Sequence, residues 1–324
     1  MNKQKLGLAN VVSISVGLVV ATSCLVSLGE GSGTLGVTFI LAMAIAMLLN
    51  MTTVASLSEL NALMPNTTGG LAQYTLAALG PLPTLVSMVG GYIICNTMSC
   101  GVEASIFSFS LADIIGGNVP SIVYTFIMTV IILLANLRGV DMFAKIQDVV
   151  AFLLVGSLVV MGFIGMIGAG MGARVEQLFV LEADFKGIAS MTAVAFWLFI
   201  GAEYAIPISK EVKNAKRNVP LGMMIGLFLI FIMQSVMVFG FHNYVEWGKL
   251  ADSAAPHLLY GYAILGKFGK VWMMLVGALA VISTQNSTVN SLAVICQGMA
   301  KMNMLPKIFA KTNNCLLYTS DAAD

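Results

Sequence analysis

Charge is what this sequence has least of. Of its 324 residues, 10% are Asp, Glu, Lys or Arg and 58% are hydrophobic, whereas a water-facing domain carries about a quarter charged residues. That balance alone excludes a soluble globular enzyme. Histidine is nearly absent. His242 and His257 are the two; both fall in what reads as a polar connection, and neither stands at a metal-ligand spacing from a cysteine. Cys24, Cys95, Cys100 and Cys296 lie inside apolar runs, which excludes the disulfide framework of a small secreted domain. The net charge is +1 with no basic segment, so nucleic acid finds no electrostatic footprint. His-Glu-x-x-His and Gly-x-Gly-Asp, patterns of intramembrane hydrolases, are both missing. The expectation is a protein that is not an enzyme, with no catalytic residue, no metal and no cofactor.

What fills the chain instead is apolar length. Mean hydropathy is +0.93, and there are 32 glycines and 22 methionines; glycine is commoner in membrane helices than in soluble ones. A span takes about 20 apolar residues, more when tilted. On that measure the chain offers eight: 8–29, 37–63, 84–112, 119–137, 147–169, 188–207, 219–241 and 271–300. No stretch alternates with period two, so a β-barrel is not indicated. The fold class is an all-α polytopic membrane protein in a lipid bilayer.

Lys3 and Lys5 ahead of an apolar run ending in "ATSC" imitate a lipoprotein leader. The runs that follow are just as apolar, so an uncleaved first span is expected. With the N-terminus inside, the inner segments hold eleven of the sixteen Lys and Arg and the outer ones five, the bias expected of positive charge on the cytoplasmic side. Residues 315–324, "CLLYTSDAAD", break the composition abruptly. They read as a foreign, adapter-derived tail, with the natural frame continuing past residue 314.

Two spans are interrupted in the same way. In the first, Gly17 precedes a cluster of small and polar residues, Ala21, Thr22, Ser23 and Cys24; in the sixth, Ile200-Gly201-Ala202 precede Glu203 and Pro207. Glycine weakens a helix and proline removes a donor and clashes one turn back. Freed backbone groups at membrane depth are tolerated only where they line a cavity. Paired interruptions at corresponding places in two groups of helices point to a transporter site. Half-helix N-termini suit a carboxylate, and C-terminal ends suit an ammonium group. An α-amino acid supplies both.

"FWLFIGAEYAIPISKEVKNAKRNVPLGM" resembles the sixth-helix signature of amino-acid permeases in the amino acid–polyamine–organocation superfamily: an aromatic half-helix, Phe-x-Gly-x-Glu, then a basic stretch ending in Val-Pro. "LSELNALMPNTTGGLAQYTLAALGP" is similar to the family's connection between the second and third helices. "ANLRGVDMFAKIQDVV" and "GMAKMNMLPKIFAK" resemble its fourth-to-fifth connection and the end of its eighth helix. The resemblance implies an inverted five-helix repeat fold, usually of twelve helices. Residues 1–169 would be the first repeat, 188–314 the first three helices of the second, and the last four helices would lie beyond the chain. It implies a secondary transporter or exchanger moving amino acids across the cytoplasmic membrane by alternating access; a non-transporting amino-acid sensor on the same fold is the alternative.

The sequence departs from that family at three places. Ala21, Thr22 and Ser23 stand where the family has Gly-Ser-Gly, Leu154 where many proton-coupled members have lysine, and Gln297 where an arginine is common. The candidate substrate-binding residues are Ala21, Thr22 and Ser23 of the first helix, Cys95, Asn96 and Ser99 of the third, and Trp197, Phe199, Ile200 and Gly201 of the sixth. Trp197 matches an aromatic gating position or is core packing. Glu203 is a candidate for proton coupling, since an ionised group in a membrane is functional by default, or else it satisfies the amides of the unwound segment. Glu103 pairs with a cationic substrate or is a hydrogen-bonded interior residue. Ser283, Thr284 and Ser287 of the eighth helix offer oxygens to sodium if no proton is used. The pair Gly69-Gly70 reads as turn chemistry.

Overall fold

A computed structural model of the chain describes residues 6–64, 70–115, 119–136, 140–179 and 185–311. The tail at 315–324 and Gly69 lie outside the described residues. Twelve α-helices follow one another among the described residues: α1 Leu8–Val19, α2 Thr22–Leu35, α3 Phe39–Leu63, α4 Leu71–Leu79, α5 Pro81–Leu85, α6 Cys95–Ile115, α7 Ser121–Asn136, α8 Val140–Met166, α9 Phe185–Trp197, α10 Ala215–Tyr244, α11 Trp247–Ala251 and α12 Pro256–Lys301. Six helical stretches are long and apolar enough to cross a membrane, and Leu8–Gly17 and Ser121–Asn136 are shorter apolar helices.

The outer faces are as apolar as the core. On α3, Ala42, Met43 and Ala46 are buried while Leu41, Ile45, Leu48 and Leu49 are 43–58% exposed. A helix apolar all round has lipid or protein on every side. α1, α8, α10 and α12 form the centre, with α3 and α9 packed beside it. Between α5 and α6, Val86–Ile94 winds as a π-helix, a form frequent at functional sites because the extra residue per turn re-aims the side chains that follow.

Each expected interruption falls on non-helical backbone. The first span divides into α1 and α2 at Val20 (φ −83°, ψ 74°) and Ala21 (φ −89°, ψ 166°). This is slightly earlier than the sequence suggests: Thr22 and Ser23 already belong to the first turn of α2. The sixth span stops being α-helical at Trp197 and resumes as a 3₁₀ turn over Ala202–Ala205. Gly201 between them has φ 122°, a conformation closed to side chains with a Cβ.

The histidines require a correction. Both lie in helices, His242 near the end of α10 and His257 in the first turn of α12, where it is buried. α10 runs past the apolar stretch that ends at residue 241, and α12 opens with a segment that kinks at Leu265–Gly266 before the eighth span begins. Among the described residues no group of three His, Cys, Asp or Glu could hold a metal.

Near the N-terminus the chain also pairs with the loop after the sixth span. Leu6 N–H donates to the Glu211 carbonyl, and Lys213 N–H donates back to the Leu6 carbonyl, both at 2.8 Å.

Candidate functional site

The two breaks share one cavity of about 300 Å³, the lower end of the range for small-molecule sites. The first break contributes Val19, Ala21 and Cys24, and the second contributes Trp197, Ile200, Glu203 and Tyr204. One direct bond links them: Trp197 Nε1–H donates to Ser23 Oγ at 3.0 Å, while the Cys24 thiol donates to the Val19 carbonyl at 2.9 Å within the first break. The third wall is the face of α6 and the π-helix before it, where Tyr92, Asn96, Ser99, Cys100 and Glu103 recur three or four residues apart. α12 closes the site with Thr284 and Thr288.

Of the residues expected from sequence, Ala21, Cys95, Asn96, Ser99, Trp197, Ile200, Glu203, Glu103 and Thr284 line this cavity. The others stand behind it. Thr22 is buried and its hydroxyl donates to the Gly277 carbonyl at 3.3 Å. Phe199 is packed in the core. Gly201 supplies a backbone N–H to Glu203, and Ser23 holds Trp197. Ser287 is buried away from the lining. Ser283 belongs to a separate polar chain: its hydroxyl donates to the Gly17 carbonyl at 2.6 Å and accepts from Gln147 Nε2 at 2.7 Å. Gln147 Oε1 in turn accepts from Asn286 Nδ2 at 3.2 Å, and Asn286 Oδ1 accepts from Asn136 Nδ2 at 2.9 Å.

Sequence reasoning missed Val19, Cys24, Gly91, Tyr92, Cys100, Tyr204 and Thr288 as lining residues. Three of these were legible as periodicity: Tyr92 and Cys100 lie four residues to either side of Asn96, and Thr288 lies four after Thr284, so each shares its helical face. Tyr204 follows Glu203 directly in a 3₁₀ turn, and no helical pattern reaches it.

The electrostatics differ from the simple broken-helix picture. The N-terminus of α2 presents unpaired amides and the positive end of a helix dipole, yet those amides are already engaged. Ser23 N–H donates to Glu103, 3.0 Å from Oε2 and 3.3 Å from Oε1. At the second break the Gly201 N–H donates to Glu203 Oε2 at 3.0 Å. Both anion-binding ends are therefore filled by side chains of this chain. Val19 and Trp197, the last residues of α1 and α9, line the cavity, the Val19 carbonyl accepts the Ala21 N–H at 2.9 Å, and Thr284 Oγ1, on a side chain only 8% exposed, has no hydrogen-bond partner.

The family model described as amino acid permease matches residues 6–321. The L-methionine/branched-chain amino acid exporter YjeH of Escherichia coli K12 is 27% identical over 170 residues, 51% of this chain and 39% of that protein. The putrescine transporter PotE of the same organism is 31% identical over 134 residues, 39% of this chain and 29% of that protein. The arginine/agmatine antiporter of Chlamydia trachomatis serovar L2 is 24% identical over 279 residues, 79% of this chain and 55% of that protein. At its widest matches the chain spans about half the length of the curated relatives.

Proposed function

Because the chain belongs to the amino acid permease family, we propose that it is a secondary active transporter or exchanger of the cell membrane, moving a solute of the amino-acid class by alternating access. The observation that carries this reading is the single cavity shared by the two helix breaks. Each break divides a span into two short halves that would move separately, so a solute between them touches both moving parts. The breaks fall in the first helix of each expected repeat, residues 1–169 and 188–314, which supports the inverted-repeat reading. The N-terminus lies in the cytoplasm, on the side of the excess Lys and Arg.

The relatives named above carry amino acids or amines, and their cargoes share an ammonium group. Reconstitution into proteoliposomes is the test. Preloaded unlabelled solute should drive uptake of its labelled counterpart. Ligand binding without any flux would make the protein a sensor and end the transporter reading.

A further inference from the structure

The second break has a dry side as well as a side that faces the cavity. Trp197, Ile200, Glu203 and Tyr204 line the cavity, whereas Leu198, Phe199 and Ala202 are buried in the protein behind it. On the cavity side a solute or water can pair the freed backbone groups. On the dry side the protein must do so, because a buried backbone donor or acceptor without a partner is costly. Much of that pairing is local. Leu198 N–H donates to the Ala195 carbonyl at 3.0 Å and Phe199 N–H to the Phe196 carbonyl at 3.2 Å. The Leu198 carbonyl is paired from outside the span: Gln234 of α10, itself 2% exposed, donates Nε2–H to it at 3.5 Å.

That bond is long, and the other half of the same carboxamide is idle. Gln234 Oε1 is buried and has no hydrogen-bond partner among the described residues. In this arrangement alone a leucine would fill the place at less cost. What a carboxamide has and leucine lacks is a donor and an acceptor side by side on one tip. The peptide unit between residues 198 and 199 carries the same two groups on opposite edges, the Leu198 carbonyl and the Phe199 N–H. Turning that unit over exchanges the edge that faces Gln234.

We infer that Gln234 is a positioning residue for the transport step, pairing the Leu198–Phe199 peptide in both of its orientations. It donates to the Leu198 carbonyl in the present arrangement, and through Oε1 it accepts the Phe199 N–H once the peptide has turned. In alternating access the two halves of the sixth span change their angle, and the backbone rotation falls on the few residues between them. Gly201, at φ 122°, is already free of a Cβ constraint there. The turn breaks the bond from Phe199 to Phe196, and Gln234 replaces it, so the segment rearranges without a buried orphan. This inference rests on the transporter reading.

The test uses the purified full-length protein, with solute binding measured by calorimetry and counterflow measured in proteoliposomes. The probes are the twenty labelled L-amino acids and 1,5-diaminopentane, and the one with the fastest wild-type counterflow is used throughout. Gln234→Leu should melt close to wild type and bind that probe within about threefold, because the cavity wall is untouched. Its maximal counterflow rate should fall about tenfold or more, the effect of a backbone group left unpaired during the turn. Gln234→Glu keeps the shape and, while protonated, both a donor and an acceptor; ionised, it only accepts. The ratio of its rate to the wild-type rate should therefore fall as pH is raised, and this variant serves if the Leu variant does not fold.

A folded Gln234→Leu with a maximal rate near that of wild type overturns the inference. So does a parallel loss of melting temperature, binding and rate, which would make Gln234 a packing residue, or a Gln234→Glu ratio that is flat with pH. Any of these alongside wild-type counterflow leaves the transporter reading standing. Wild type that binds a probe and shows no counterflow ends both.

Discussion

Gln147 Nε2 donates to the hydroxyl of Ser283 across 2.7 Å, and Ser283 passes its own hydrogen to the Gly17 carbonyl at 2.6 Å. This chain joins α1, α8 and α12; Leu154, the place where many proton-coupled relatives are expected to hold a lysine, lies about two turns further along α8 and is fully buried. The amide N–H takes one of the two lone pairs of the Ser283 hydroxyl, which makes it a poorer ligand for sodium.

A sodium ion centred on Ser283 is therefore not expected, whereas the Thr284 and Ser287 hydroxyls have no partner among the described residues. Ser283→Ala should leave the response of uptake to replacing sodium chloride by choline chloride, at constant ionic strength, as it is in wild type. Gln147→Leu should lower stability by about 0.5–1.5 kcal/mol for each hydrogen bond lost, those to Ser283 and Asn286. A steep sodium requirement abolished by Ser283→Ala would place an ion at this chain after all.

Gly17 is the position that makes room for Gln147. A Cβ there would run into Gln147 Nε2, with Ser283 Oγ close by. Gly17→Ala should destabilise by about 1–3 kcal/mol, as overpacking does. Adding Gln147→Ala should recover part of that loss, since the collision is with the far end of a flexible side chain. Melting temperatures of the two singles and the double measure it; strict additivity would mean that the two residues do not meet.

Much of this architecture was legible in the sequence, because bilayer thickness fixes the length of a span and apolar runs record it. The breaks were legible for a related reason: Gly201 and the small residues around Ala21 are weak points that a lipid-facing helix would not keep. The partner of each polar group was not legible. That Glu103 would sit on the Ser23 amide depends on how α6 crosses α2, eighty residues away in sequence, and no periodicity encodes a crossing angle. The helical placement of His242 and His257 was hidden by the polar residues around them, since composition marks the edge of the membrane and not the end of a helix.

Trp197 and Ser23 connect the two breaks through one hydrogen bond of 3.0 Å. Trp197→Phe removes the donor but keeps an aromatic ring, and Ser23→Ala removes the acceptor. Either single change should weaken solute binding if the bond holds the cavity's two walls in register. Their effects should not add: the double variant should lie close to the weaker single, with a coupling of about 0.5–1.5 kcal/mol, the net value of such a bond. Additive losses would show that each residue acts on the solute separately.

Glu203 closes the break in which it sits, with Oε2 accepting the Gly201 N–H at 3.0 Å. Tyr92 and Tyr204 lie beside it, and Glu103 is the other charged group on the cavity wall. Glutamine at 203 would still accept that N–H, so the unwound backbone survives the change, but the side chain could no longer ionise. A charge at membrane depth costs at least about 2.5–3.5 kcal/mol, which favours keeping a carboxylate only where gaining and losing a proton has a use. For a cationic solute the sign is fixed: ionised Glu203 attracts it and protonated Glu203 releases it. Uptake at solute well below saturation should therefore rise with pH as Glu203 gives up its proton. Glu203→Gln should flatten that rise while binding persists. The measurement is initial counterflow rate across a pH series in wild type and variant, with internal and external pH kept equal. A variant that keeps the wild-type pH profile would reduce Glu203 to a cap on the Gly201 amide and move the proton-dependent step elsewhere in the chain.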